Sequence, residues 1–391
     1  MEEAKHADGR LSLWRLLYRG ARLTLARRYN YTCEPITTDS PCLIIANHVT
    51  NSDPFLLGLA HGHAPLTYVA SEHIFRQGLI SKLITKLLDP IPRSKAASGA
   101  STVKNCLRRL KNGESVALFA EGDCTWDGVT GHVFPATGKL AKAAGVPLVT
   151  FRIEGGYLTR PRWSKRSRRG KMRGVPVRAY GVDELKTMTA EQVTEAIDRD
   201  IFYDTWAEQR RNPTAYRSKA HAEGLERALF ICPECGGADC MASKGERLFC
   251  KKCGAEWTMD DYGFLHGPRF GTIAEWDAWQ KEAVKKIKST PLFQGRGVFT
   301  DINKGEKRVG AEYALDAEQG SIRIGPFKPT IKVLPRIDNM AMVKTNRLLF
   351  EDSESYFEIK SKRGVLRPYL LLWQALRNEK GETNEHTAGT A

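Results

Sequence analysis

Short, continuous apolar runs separated by stretches of helical spacing mark the first half of the chain. Cys42–Ala46 (CLIIA), Val116–Ala120 (VALFA) and Leu148–Ile153 have the length and composition of strands buried on both faces. Between them, Ser101–Asn112 sets Val103, Leu107 and Leu110 on one helical face, and Gly113 ends it. Lys139–Ala144 continues a helix that turns at Gly145-Val146-Pro147 into the third strand. Strands alternating with helices predict a layered α/β domain. A helix opened by the capping box Thr189-x-x-Gln192 and running to about Trp206 closes it. Ahead of the first strand, residues 11–29 carry Leu13, Trp14, Leu16, Leu17 and Leu25 at helical spacing. Arg10, Arg15, Arg19, Arg22, Arg27 and Arg28 supply the charge. This basic amphipathic helix either lies in a headgroup layer or packs on its own domain with its arginines in water.

The pattern breaks at Arg211-Asn212-Pro213. A cysteine-rich stretch follows at 232–257, then a helix over Thr272–Lys286 with Thr272-x-x-Glu275 as its cap. From 295 to 361 short alternating runs take over, among them Ser321–Ile324, Ile331–Leu334, Met340–Val343, Leu348–Phe350 and Tyr356–Ile359. They predict a small antiparallel β-domain, closed by a helix at Tyr369–Leu376. The expected order is an α/β domain over 1–215, a metal-binding segment over 228–262, a linker helix over 263–290, a β-rich module over 291–378 and a polar tail over 379–391.

At 391 residues with 41% hydrophobic and 27% charged positions, the chain has the composition of a folded multidomain protein. Its formal net charge of +15 points to a polyanionic partner, either nucleic acid or an anionic membrane. Arg160–Arg173 alone holds eight Lys or Arg residues around Trp163, fit to grip nucleic acid phosphates, to sit on anionic lipid or to be a solvated basic hairpin. No run approaches the roughly 20 apolar residues that cross a bilayer. The N-terminus lacks the apolar core of a signal peptide. The expected placement is therefore cytoplasmic, peripheral on the inner face of a membrane.

Cys232-Pro-Glu-Cys235-Gly and Cys250-Lys-Lys-Cys253-Gly are two knuckle-like pairs separated by fourteen residues. Four thiolates on two tight turns match a tetrahedral structural zinc of the zinc-ribbon kind, with no open position for chemistry. Cys240 is spare, and Cys33, Cys42 and Cys106 lie in apolar surroundings as core fillers.

Candidate chemistry gathers at Asn47-His48-Val49-Thr50-Asn51-Ser52-Asp53-Pro54, past the end of a buried strand. A histidine can take the proton of an attacking hydroxyl, and a carboxylate a turn away can hold its other nitrogen. Asp53-Pro54 is equally a good helix start, with Asp as N-cap. The H-x-x-x-x-D spacing resembles the first block of the glycerolipid acyltransferases, the lysophosphatidate acyltransferase family. Three further pieces follow in family order: Pro90-Ile91-Pro92-Arg93, Phe119-Ala120-Glu121-Gly122, and Gly145-Val146-Pro147-Leu148-Val149. The resemblance covers residues 40–155.

That resemblance implies His48 as general base and Asp53 as its orienter. It puts Arg93 on the acceptor's phosphate, with Asn47, Glu121 and Gly122 also among the substrate-binding residues. The donor would be acyl-CoA or acyl-ACP and the acceptor a lysophospholipid. After Gly122 the family continues with Thr/Ser-Arg, whereas this chain has Asp123-Cys124, which weakens the case for lysophosphatidate itself. The β-module with its closing helix resembles pleckstrin-homology-like modules. A second reading, a non-enzymatic zinc-ribbon protein on nucleic acid or anionic lipid, competes. Nucleic acid is disfavoured, because the ribbon mixes Asp239 and Glu246 with Lys244 and Arg247, and few aromatics interleave the basic run. A third, hydrolysis by His48-activated water, shares the base but needs no acceptor pocket.

Overall fold

The computed structural model describes residues 16, 18–20, 22–38, 41–62, 66–71, 89–93, 99–287, 292–325, 330–362 and 365–379. Its described residues divide into two compact units, one within 16–161 and 168–216, the other within 162–167 and 217–379.

The first unit is built on seven strands: β1 (Tyr31–Cys33), β2 (Leu43–Ala46), β3 (Leu66–Ser71), β4 (Ile91–Arg93), β5 (Ser115–Phe119), β6 (Leu148–Glu154) and β7 (Met172–Tyr180). They lie in the order β1-β7-β6-β2-β5-β3-β4, parallel except for the β6–β7 pair. The apolar run of β2 is continuous because both its faces are covered. Leu43 and Ile45 pack with Cys106, Leu110, Leu140, Val193 and Ile197 on one side. Ile44 and Ala46 pack with Tyr31, Leu56, Leu57 and Phe151 on the other. Helix α1 (Asp53–His61) supplies the second face; α2 (Gly99–Lys111), α3 (Pro135–Ala143) and α4 (Ala190–Ile201) supply the first. The expected layered α/β arrangement is present.

The capping box at Thr189 forms as expected, with Thr189 Oγ1 accepting from Gln192 N–H. The helix it opens ends at Ile201 instead of running on to Trp206. Asp204 caps a new helix, α5 (Thr205–Arg211), by accepting from Trp206 N–H and Ala207 N–H. Of the expected helix over 11–29, residues 11–15, 17 and 21 lie outside the described residues, and 22–29 are helical. Tyr18 and Leu25 pack on the core, whereas Leu16 and Leu23 are exposed. The basic segment at 160–173 is only partly a solvated hairpin. Trp163 and Arg168 are buried, and Met172 begins β7.

The second unit holds a four-stranded sheet, β8 (Met241–Lys244), β9 (Arg247–Cys250), β10 (Glu256–Met259) and β11 (Leu265–His266), beside helix α6 (Ile273–Ala283). A seven-stranded antiparallel sheet follows, of β12 (Leu292–Asp301), β13 (Glu306–Asp316), β14 (Ser321–Ile324), β15 (Thr330–Val333), β16 (Asn339–Val343), β17 (Arg347–Glu351) and β18 (Tyr356–Ser361). Helix α7 (Arg367–Glu379) closes it. The Thr272–Glu275 capping box opens α6, and the last turn of that expected helix is 3₁₀, at Val284–Lys286. Arg367 clamps Asp277 of α6 with two buried bonds of 2.6 and 2.7 Å. No helix among the described residues is long and apolar enough to cross a membrane.

Candidate active site

Parallel strands deliver their following loops to one edge of the sheet. Ala46 pairs in register with Phe119, so His48 and Glu121, each two residues past its strand, emerge side by side. Arg93 ends β4 on the same edge, paired with Ser71 of β3. The carboxyl edge of such a sheet is where α/β folds place ligands.

The loop after β2 is shaped by one carboxylate. Asp53, inaccessible to solvent, accepts from His48 Nδ1–H at 2.8 Å, Val49 N–H at 2.6 Å and Thr50 N–H at 2.9 Å on Oδ2, and from Thr50 Oγ1–H at 2.6 Å on Oδ1. It does not act as an N-cap: the backbone donors it satisfies precede α1, and Ser52 occupies the cap position. A buried anion holding four donors fixes the turn and the imidazole together. With Nδ1 committed to Asp53, the ring presents Nε2 for chemistry.

Three groups surround that ring. Phe119 stacks on it with centroids 4.4 Å apart and planes inclined by 21°. Glu121 Oε1 accepts from His48 N–H at 2.6 Å. Cys124 Sγ lies 3.3 Å from Nε2. Burial alone would lower the imidazole pKa. The Cys124 sulfur and the Asp53 carboxylate outweigh it, leaving the pKa well above the ordinary histidine value.

Glu121 spans two loops, since its Oε2 also accepts from Gly131 N–H at 2.7 Å. Burial pushes its pKa up to about 8 against the pull of those two amides. Both oxygens are thus committed to backbone, which makes Glu121 a brace for the site. Asn47, which the resemblance puts among the substrate-binding residues, is held by backbone as well. Its amide donates to Ile153 O at 3.1 Å and accepts from Ile153 N–H at 2.7 Å, continuing the β2–β6 ladder by one side chain. Gly122 sits at φ +71°, and a Cβ there would come within 3.0 Å of Arg93 Nη1 and 3.1 Å of Phe134. Glycine is required by conformation and by space. That contact also brings the β4 arginine against the loop carrying Glu121 and Cys124. Arg93 lies over the Phe134 ring, and burial lowers its pKa. Among the described residues no carboxylate pairs with it, so its guanidinium is available to an anionic ligand. Asp123 is exposed and accepts from Cys124 N–H at 2.9 Å.

No local signal in the sequence marks the Cys124–His48 contact. Cys124 stands where the resembled family carries arginine, and only the fold joins positions 76 residues apart.

The Sγ atoms of Cys232, Cys235, Cys250 and Cys253 all lie within 4.8 Å of one another. Cys232–Cys253 and Cys235–Cys250 are 3.7 and 3.8 Å apart. Zn–S bonds of about 2.3 Å at tetrahedral angles require about 3.8 Å between sulfurs, so the donor set fits. Gly236 and Gly254, both at positive φ, close the two knuckles.

Residues 28–154 match the family model described as Acyltransferase, and the strand-end site falls inside that span. This segment is similar to glycerolipid acyltransferases. Among its relatives, the probable 1-acyl-sn-glycerol-3-phosphate acyltransferase of Mycoplasma genitalium is 31% identical over 128 residues, 31% of this chain and 47% of that protein. The chloroplastic 1-acyl-sn-glycerol-3-phosphate acyltransferase BAT2 of Brassica napus is 27% identical over 121 residues, 30% of this chain and 34% of that protein. The chain thus spans less than half the length of these relatives. Among solved structures, the 1-acyl-sn-glycerophosphate acyltransferase PlsC of Thermotoga maritima aligns at 17% identity with a TM-score of 0.42. That alignment covers 54% of this chain and 83% of that one.

Proposed function

We propose that this chain transfers a fatty acyl group from an acyl thioester, acyl-CoA or acyl-ACP, to the hydroxyl of lysophosphatidate or a related lysophospholipid at a membrane surface. The observation that carries this is the His48–Asp53 pair at the strand edge, within the segment that matches the acyltransferase family model. In the simplest course, His48 Nε2 removes the acceptor's hydroxyl proton as that oxygen attacks the thioester carbonyl. Asp53 keeps the ring oriented and stabilises the imidazolium. Arg93 holds the acceptor's phosphate as a fixed, permanently charged fork. The base must be neutral to act. Because its pKa is raised, activity by this course falls as pH drops through a value above the ordinary imidazole range.

The four thiols would hold a structural zinc, which contributes folding and no step of the reaction. Thiolate ligands suit a reducing, cytoplasmic setting. Exposed Leu16 and Leu23 among the exposed arginines Arg19, Arg22, Arg27 and Arg28 support docking on an anionic leaflet from that side. The antiparallel sheet with its closing helix supports a pleckstrin-homology-like role for the last module.

The test is a panel of lysolipid acceptors, with and without a free phosphate, offered with long-chain acyl-CoA in anionic liposomes. Phosphate-bearing acceptors should be acylated fastest, and Arg93→Ala should raise the acceptor KM by about 10-fold or more while leaving the donor KM alone. Equal effects on both substrates would remove the phosphate role. Failure of every acceptor with both donor types would remove acyl transfer.

A further inference from the structure

Several buried cysteines are inert by their surroundings. Cys42 faces Ser115 in the sheet core and Cys106 lies inside α2; burial raises both thiols, that of Cys106 to about 12. Cys124 is different. Its sulfur lies 3.3 Å from His48 Nε2, and the opposite nitrogen of the same ring is held by Asp53 at 2.8 Å. Nucleophile, base and orienter are thereby aligned through one imidazole, the geometry that activates a thiol for acyl chemistry. The contact also occupies the nitrogen that a directly attacking acceptor hydroxyl would need.

We infer that Cys124 is a nucleophile: the acyl group passes from the carrier to Cys124 and only then to the acceptor. This inference rests on the acyl-transfer reading above and adds a covalent step to it. Cys124 gives its proton to His48, and its thiolate attacks the donor's thioester carbonyl. The tetrahedral intermediate breaks its bond to the carrier sulfur, which leaves with the proton from His48. One thioester has replaced another, with nothing oxidised or reduced. The acceptor hydroxyl then yields its proton to His48 and attacks the acyl-Cys124 carbonyl. The bond to Sγ breaks, the ester departs, and the thiol recovers the proton from His48. Cys124 is 5% exposed and the His48 side chain 19%, which limits the access of bulk water to the intermediate.

The same contact explains the departure at this position. Where the resembled family has arginine, this chain has a thiol set against the catalytic ring, and Asp123 beside it holds the Cys124 N–H. Arg93 remains as the cation next to that loop.

The experiment incubates the full-length protein with radiolabelled long-chain acyl-CoA, without and then with lysophosphatidate in anionic liposomes. It is quenched in acid, and the labelled peptide is identified by mass spectrometry. Wild type should carry a hydroxylamine-sensitive acyl label on Cys124 that is chased into product by acceptor. In Cys124→Ala the label should vanish and transfer should fall to the level of His48→Ala. Cys124→Ser, nearer in size, should retain a slowly formed, hydroxylamine-resistant label, which separates lost chemistry from lost folding. Transfer by wild type with no label, together with an active Cys124→Ala, would overturn the covalent step and leave direct transfer standing. A label on Cys124 that lysophosphatidate does not chase would support the nucleophile and fault only the acceptor. Neither label nor transfer with acyl-CoA or acyl-ACP would overturn the inference together with the reading beneath it.

Discussion

Among the described residues two aspartates, Asp53 and Asp277, are sealed from water, and their partners give them different parts. Asp53, in the first unit, is bonded to an imidazole and to the turn that carries it. Asp277, in the second, is gripped by both terminal nitrogens of Arg367 and also accepts from Gln280 Nε2 at 3.2 Å. Guanidinium does not give up its proton in proteins, so the Asp277 cluster can only hold elements together. Imidazole can exchange its proton, and the Cys124 thiol stands at its far side. A buried carboxylate thus either clamps a fixed charge or orients a ring that can exchange its proton, according to the partner it meets, although burial is the same for both.

Substitutions should separate the two clusters. His48→Ala should cut acyl transfer by about 10³-fold or more, with its unfolding midpoint near wild type. A loss of activity matched by a loss of fold would place His48 with the clamps. Asp277→Ala should do the reverse. It leaves the Arg367 charge buried without its carboxylate and should cost about 3–5 kcal/mol in denaturant unfolding. Replacing Asp277 and Arg367 together by Leu and Met should recover much of that, because neither charge then remains to be desolvated.

Acid should strike the clamp as well. Burial opposes ionisation of Asp277, but Arg367 prevails and holds its pKa below the usual aspartate value. Its contribution is present above the unfolded-state pKa and disappears as pH falls through the folded one. Unfolding measured from pH 6 down to 2 should therefore show an acid limb that Asp277→Ala flattens. Stripping metal should loosen the backbone around 232–253, read by hydrogen exchange, since four thiols on two knuckles have little other reason to stay together. The smallest effect is expected of Lys281→Ala. That ammonium sits 3.0 Å from Asp277 but its side chain is 47% exposed, so the change should be about 0.5 kcal/mol or less.

The comparison also shows what sequence can reveal. The gathering of His48, Asp53, Arg93, Glu121 and Gly122 at one edge was legible because each follows an apolar run or sits in a short block, and parallel strands bring such run ends together; the backbone bonds that hold Glu121 were not. Strand β2, both capping boxes and the closing helix were legible for the same reason: their signals are local. The two longest strands, β12 and β13, were not among the runs picked out. Gly295 and Gly297 interrupt the alternation of one, and the first half of the other faces solvent with Glu306, Lys307 and Arg308. The bonds of Asn47 to Ile153 were not legible, because an amide completing a ladder looks no different in sequence from one awaiting substrate. Trp163 and Arg168 looked like part of a basic surface, and nothing in their neighbours signals burial. The Cys124 contact depends wholly on the pairing of β2 with β5.

The most direct measurement is transfer of a labelled acyl chain from acyl-CoA to lysophosphatidate in anionic liposomes, by wild type beside His48→Ala and Asp277→Ala at equal concentrations of folded protein. Transfer by wild type that is lost in His48→Ala and retained by the folded fraction of Asp277→Ala is the predicted result. Undiminished transfer by His48→Ala would contradict the account, because the strand-end histidine would then not be the group that moves the proton.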